Sequence, residues 1–438
     1  MTRVERLQIT LRSPAFWLFF AALALRGYGF FVSLLLARWS GLQSLGSYSF
    51  LLITASSTST PLSVALANAV TQATAHGRGP DRLRSAWRAA RMPLLLCVAV
   101  SGGLALWLAF GGGMGKDASS SFGLIAMVPL LLALVVGQFL TQTAQGVCSG
   151  DGRPQLMTIP TIAMTALGLL TTMAIMAAHG FLGALLVTAL VGIVPALVVW
   201  WRTTRKPVLS KQALAEAPLS PEHINLWPYL GRAVPEIGAN VLNSLTNWVC
   251  FMYLVMHAHG PVGLGFITVG LQWSVVMLLP ANSWGGAIMH RLLQAQSKPG
   301  GDIDPAIVRQ ELRRCLRVTL ACCVAVLAAS PVLAWLYKLE LERLFLLLLL
   351  NAASALVLSH NFVHERVFVC RQIQNRWLWI SGGAYAVQMV LTLAFIETTI
   401  YAVAVGNLVA LLVVWMASRY ELRLGNAHDK TPHRHHHQ

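Results

Sequence analysis

Leu25–Gly46, LRGYGFFVSLLLARWSGLQSLG, is the stretch that decides the fold. It closes a first apolar run that carries an arginine, Arg26, among leucines, alanines and phenylalanines. A charged side chain at that depth is costly unless it faces a wet, protein-lined cavity. The chain then turns through Gly41 and Gly46 into a second run crowded with hydroxyl and amide groups. The same landmarks return half a chain later. Gly41, Leu45, Gly46, Leu52 and Pro61 recur as Gly260, Leu264, Gly265, Leu271 and Pro280, each pair 219 positions apart (260 − 41), half of 438.

Composition fixes the class. With 56% hydrophobic residues, 11% charged and a mean hydropathy of +0.63, the chain holds less than half the charge of an average globular protein, about a quarter of whose residues are charged. Apolar runs of about 20 residues recur, each long enough to cross a ~30 Å hydrocarbon core. A β-barrel needs alternating apolar and polar residues, and the unbroken run Leu344–Leu350 excludes one. The expected fold is therefore all-α and polytopic. Twelve spans are read at about 15–38, 45–75, 92–112, 121–148, 156–178, 180–201, 229–256, 262–290, 316–337, 343–370, 377–396 and 398–418. The second and tenth are too long to cross upright and must tilt or protrude. The longest polar connection divides the chain into an amino-terminal lobe (1–201), a cytoplasmic linker (202–228), a carboxy-terminal lobe (229–418) and a cytoplasmic tail (419–438).

Charge placement gives orientation. Of the 32 Lys and Arg residues, Arg26 lies within a span and Arg38, Lys116, Lys338 and Arg343 lie on one face; the other 27 fall on the opposite face. Basic residues mark the cytoplasmic side, so both termini are expected there. The net charge of +16 is thus a topology signal met by anionic lipid head groups; nucleic acid is not an expected partner. Arg82, Arg84, Arg88 and Arg91 belong to this signal. The seven cysteines form no CxxC pair and read as small buried hydrophobes. His433, Arg434, His435, His436 and His437 look like a metal tract, but a disordered cytoplasmic end is the better reading. Loops on the sparsely charged face are short, which argues against an enzyme such as a membrane glycosyltransferase with a catalytic external loop.

Four spans carry polar faces. In the seventh, Glu236, Asn240, Asn243 and Asn247 are spaced i, i+4, i+7, i+11 and share one side of the helix. The second holds Thr54, Ser56, Ser57, Thr58, Ser59, Thr60, Ser63, Asn68 and Gln72, interrupted by Pro61. The eighth adds Gln272, Asn282, His290 and Arg291 around Pro280, and the fourth adds Gln138, Gln142 and Gln145. Such groups either line a wet cavity or, for Ser and Thr, bond back to their own helix; both readings stay open for span two. Glu365–Arg366 reads as an interfacial charge pair. For Arg26 and Glu236 a cavity is the stronger reading.

Two motifs carry a resemblance. One is Arg26-x-x-Gly29, Ala37-Arg38-x-x-Gly41 and Leu45-Gly46-x-Tyr48; the other is Gln145-Gly146-x-x-x-Gly150-x-Gly152-Arg153-Pro154. In them the chain resembles the multidrug/oligosaccharidyl-lipid/polysaccharide (MOP) exporter superfamily, and within it the Wzx-type polysaccharide flippases. The matching turn of the second half, Val369–Trp377, keeps Arg371 and Arg376 but lacks the glycines. The resemblance implies a MATE-like fold of two six-helix lobes, with spans one, two, seven and eight around a central cavity. It implies a cargo too: an undecaprenyl-pyrophosphate-linked oligosaccharide moved from the cytoplasmic to the outer leaflet of the bacterial inner membrane for O-antigen or exopolysaccharide synthesis.

Arg26 matches an arginine position of the related lipid II flippases, although this chain has fewer intramembrane arginines and no spans beyond twelve. The expected substrate cavity comprises Arg26, Asn68, Gln72, Asn240, Asn243, Asn247, Gln272, Asn282 and Arg291, with Glu236 as the ion-coupling residue. No metal or organic cofactor is expected; H+ or Na+ would be the coupling ion. A polysaccharide polymerase or chain-length regulator is the expected protein partner. The alternative is a cation-coupled multidrug antiporter of the MATE type, in which Glu236 would serve a proton or Na+ and the cargo would be a cationic drug.

Overall fold

The computed structural model describes residues 14–76, 82–111, 121–204, 226–296, 305–371 and 373–428. The centre of the 202–228 connection and the histidine-rich tail lie outside the described residues. Among those described, the backbone is helical and no strand occurs. The helices are α1 (Pro14–Leu35), α2 (Gly41–His76), α3 (Arg82–Gly111), α4 (Ser121–Gly150), α5 (Gln155–Thr204), α6 (Trp227–Arg232), α7 (Val234–Tyr253), α8 (Gly260–Gln296), α9 (Pro305–Ala328), α10 (Ser330–Tyr337), α11 (Leu341–Cys370), α12 (Gln374–Phe395) and α13 (Ala402–His428).

Among the described residues eight stretches are long and apolar enough to cross a membrane, or nine if α9 and α10, bent by 54°, form one span. Ser330-Pro331 opens α10, and proline there cannot continue the hydrogen-bond ladder of α9. Two of the eight, Leu23–Ala75 and Gln155–Thr204, run to 53 and 50 residues, each about twice the ~20 residues of one crossing. Each is broken at a glycine. In α5 the break is Gly180, at φ 58° and ψ −141°, a region essentially closed to other residues. In the first, a π-helical turn, Leu36–Ser40, ends at Gly41 with φ 82°. The repeat anticipated from sequence has the same local structure: a second π turn, Leu254–Ala258, precedes Gly260 at φ 63° and the long helix α8. The protein is a multi-pass membrane protein. Several expected boundaries move: α3 starts ten residues before 92, through the arginine run, α9 starts at Pro305, eleven residues before 316, and α13 starts at Ala402 because 395–402 form hydrogen-bonded turns.

The chain divides into two compact units, Met1–Thr268 and Val269–Gln438. In the first, α2 is the hub and packs on α3, α4 and α7, while α5 packs on α1 and α4. Helix α4 reaches α2 through two glycines one turn apart. A methyl on Gly146 would lie 2.7 Å from the Ala67 carbonyl oxygen, and one on Gly150 would lie 2.5 Å from that of Thr71. Small residues let membrane helices approach this closely, and Thr71 Oγ1 adds a hydrogen bond to the Gly146 carbonyl at 3.2 Å.

In the second unit α11 is the hub, packed on α9, α10, α12 and α13. Its inner contacts are polar as well as apolar. Asn361 Nδ2 donates to the Leu411 carbonyl at 2.9 Å, and His364 Nδ1 meets Ser418 Oγ at 2.8 Å. Arg366 stacks on Phe362, its guanidinium carbon 4.9 Å from the ring centre. The ion pair at this end of the unit joins Arg376 to Glu421 at 2.7 Å.

Candidate functional site

Helix periodicity alone separates Arg26 and Tyr28, two polar residues of α1. Arg26 and Tyr28 are two positions apart, about 200° around the axis. Tyr28 is buried against α5, its hydroxyl 3.2 Å from Thr172 Oγ1 and 3.3 Å from Thr188 Oγ1. Tyr48 of α2 meets the same Thr188 hydroxyl at 3.0 Å. This cluster ties α1 and α2 to both halves of α5 across the Gly180 break. A buried tyrosine needs a partner for its hydroxyl, the one sequence signal that could have pointed to it. With Tyr28 turned inward, Arg26 points the other way, and it is exposed.

The polar content of α2 splits in the same manner. Thr54, Thr58, Ser59 and Ser63 are buried, and each bonds back to a carbonyl three or four residues earlier. For these hydroxyls the back-bonding alternative holds, and they are structural. Asn68 and Gln72, one turn apart, are exposed. On α4, Gln138 Nε2 is spent on Thr60 Oγ1 at 3.3 Å, while Gln145 is exposed.

On α7 the asparagines form a half-buried row. Asn247 Nδ2 donates to Asn243 Oδ1 at 2.7 Å and to the Asn243 carbonyl at 3.0 Å, and Asn240 continues the row toward the helix start. The row is held beside α2 by its neighbour Trp248. That indole is buried, donates from Nε1 to Thr54 Oγ1 at 3.1 Å, and lies 6.4 Å from the Phe50 ring. Spacing could not reveal this pairing, because it depends on which long-range partner the indole meets.

Arg26, Asn68, Gln72, Asn240, Asn243 and Asn247 thus belong to the first unit. Gln272 belongs to the second, half-buried, and its Oε1 accepts from the Tyr337 hydroxyl at 3.4 Å. Glu236, Asn282 and Arg291 have described backbone only. Asn282 and Arg291 sit in α8, and Glu236 falls in the first turn of α7, just after the break at Ala233. Among the described residues no group of three or more His, Cys, Asp or Glu could hold a metal ion.

No family model matches the chain, and no curated protein matches it significantly. Solved structures do. An inward-facing multidrug resistance MATE family transporter of the MOP superfamily superposes with a TM-score of 0.69, covering 92% of this chain and 95% of that one at 15% identity. The fold is that of the MOP transporters. A MOP superfamily transporter from Pyrococcus furiosus, described as having a binding pocket of reverse polarity, gives 0.64 over 94% and 95% at 14% identity. The lipid II flippase MurJ in an inward closed conformation gives 0.64 over 92% and 86% at 13% identity. At such identities the likeness is one of MOP architecture, and the polar residues described above are this chain's own.

Proposed function

We propose that this protein is a flippase for a lipid-linked oligosaccharide, carrying the glycan and its pyrophosphate across the bacterial inner membrane by alternating access. The observation that carries the reading is the sign of the charge within the first six spans. Across residues 6–204 the acidic residues are Asp81, Asp117 and Asp151, each outside the six spans read from the sequence. Arg26, mid-way along α1 and exposed, is the cation at membrane depth. An arginine facing hydrocarbon would cost about 2.5 kcal/mol or more, so its exposed face belongs in water. There it would grip a phosphate bidentately and stay charged throughout.

Asn68, Gln72 and the asparagine row of α7 supply amide donors and acceptors suited to sugar hydroxyls, which cannot cross hydrocarbon unsolvated. The MOP fold supports transport, and its known members include both a lipid-linked cargo and drugs. A cationic drug is the poorer fit to the first six spans, which carry an arginine and no carboxylate. The wider proposal places both termini in the cytoplasm, anionic lipid along the basic loops, and a polymerase or chain-length regulator beside the exit.

The test is reconstitution. Vesicles containing the protein receive a polyprenyl-pyrophosphate oligosaccharide, and the leaflet is read by an impermeant sugar-oxidising reagent. Protein-dependent exchange of the lipid-linked sugar, with no gradient-driven uptake of a cationic dye, supports the flippase. The reverse pattern makes the protein a drug antiporter.

A further inference from the structure

The crossing of α2 and α4 fixes more than the distance between them. Gly146 meets Ala67 and, one turn on, Gly150 meets Thr71, so the two numberings rise together and the helices run parallel. Asn68 and Gln72 each follow a contact residue of α2, whereas Gln145 and Ser149 each precede a contact glycine of α4. Neighbours along a helix stand about 100° apart around its axis. In two parallel helices facing each other, the step after a contact on one and the step before a contact on the other turn to the same side of the seam. The four residues therefore form two rungs one turn apart, Asn68 with Gln145 and Gln72 with Ser149. Asn68, Gln72 and Gln145 are exposed, and Ser149 is half-buried.

The rungs have a definite place and chemistry. Gln72 follows Thr54 by 18 residues (72 − 54), about five full turns, so it shares the side of α2 on which Thr54 meets Trp248 of α7. Arg26 lies 15 residues before Gly41 (41 − 26), and Asn68 lies 27 after it (68 − 41). Since α1 and α2 cross in opposite directions, the first rung sits roughly 18 Å nearer the basic loops than Arg26, at about 1.5 Å of rise per residue. Neither rung carries a charge. Amides and hydroxyls both donate and accept, which matches the neighbouring hydroxyls of a neutral sugar and not a phosphate or an ammonium group. Polar groups of this kind reject a ligand that lacks the matching hydroxyl, because they are then left unpaired.

We propose that α4 completes the glycan site: Gln145 and Ser149, beside Asn68 and Gln72, read sugars of the cargo several units beyond the pyrophosphate held at Arg26. This rests on the flippase reading above and adds α4 to the helices expected to line the cavity. Arg26 serves any pyrophosphate-linked sugar, whereas the rungs select for a glycan long enough to reach them.

The experiment reads binding in lipid nanodiscs with two probes, a polyprenyl-pyrophosphate oligosaccharide and the same lipid trimmed to its first sugar. Wild type should bind the longer probe tighter by about tenfold or more. Gln145→Ala should lose most of that preference and keep its affinity for the shorter probe, which also shows that the variant is folded. Gln145→Asn, an amide one methylene shorter, should keep part of the preference. Arg26→Ala should weaken both probes alike. Equal affinity of the wild type for the two probes overturns the inference, whether or not the variants fold. So does an unchanged preference in Gln145→Ala, or an equal loss on both probes. Those results leave the flippase reading standing, whereas a wild type that binds neither probe removes the cargo and the glycan site together.

Discussion

Arg26 and Tyr28 show how little in the sequence separates an exposed polar residue from a buried one. Both are polar and sit two positions apart on one apolar helix; the hydroxyl is consumed by Thr172 and Thr188 and the guanidinium is exposed. Arg26→Ala should abolish surface polysaccharide in a complementation assay at normal membrane abundance, while Arg26→Lys should keep part of it, since lysine retains charge but not the bidentate fork. Full activity of the alanine variant would take Arg26 out of the mechanism. Thr54 makes the converse case. Its Oγ1 donates to the Phe50 carbonyl at 2.8 Å while accepting from Trp248. Thr54→Val keeps the shape and strands the indole N–H, a loss of about 1–3 kcal/mol for a buried donor. A lowered thermal midpoint, with the asparagine row loosened, is the expected reading; an unchanged midpoint would mean the indole finds another acceptor.

At the scale of elements, hydropathy carried far and contact partners did not. The all-helical class, the break near Gly180 and the repeat were legible because long apolar runs and a helix-breaking glycine are local facts. The expected count of twelve spans is not reproduced by the eight or nine long apolar stretches among the described residues. The split of α2 into back-bonded hydroxyls and exposed amides was not, since the same residue types suit either role and only packing on α4 and α7 decides. The arginine run of α3 teaches the same lesson. Charge counting treats Arg84, Arg88 and Arg91 alike, yet Arg84 alone clamps the end of α5: its Nη2 and Nε donate to the Thr204 carbonyl at 2.6 and 3.2 Å, beside Trp87 Nε1 bonded to Thr203 Oγ1 at 3.0 Å.

A cation at a helix carboxy-terminus satisfies an orphan carbonyl and favours the dipole. Arg84→Gln should therefore destabilise the protein by about 1.5–3 kcal/mol, the range for a hydrogen bond to a charged group, less what its half-exposed setting screens. Arg88→Gln and Arg91→Gln, both at exposed positions, should leave the thermal midpoint where it was. Three equal shifts would return Arg84 to the topology signal alone.

Over the whole molecule, the division by sequence and the division by packing differ, and the difference bears on coupling. The polar linker separates the repeat halves at 202–228, whereas the compact units part at Thr268 and Val269. The reason is α7: Trp248 and the first turns of α8 dock on α2, so the second half begins already attached to the first. In the proposed flippase the coupling ion is expected to act on α7. Glu236 stands in its first turn, four residues ahead of Asn240 on the same face. A helix amino-terminus favours the ionised carboxylate, and binding Na+ or a proton would cancel that charge where α7 meets the polar row. Such neutralisation changes the relative stability of two arrangements of the helix, which is all a gradient can exploit. One pH unit across the membrane corresponds to about 1.4 kcal/mol per proton moved. In proteoliposomes under imposed proton or Na+ gradients, Glu236→Gln should still exchange the lipid-linked sugar but lose the acceleration that the gradient gives wild type. Conservation of that acceleration in the glutamine variant would leave Glu236 a structural carboxylate and move the search for the coupling site off α7.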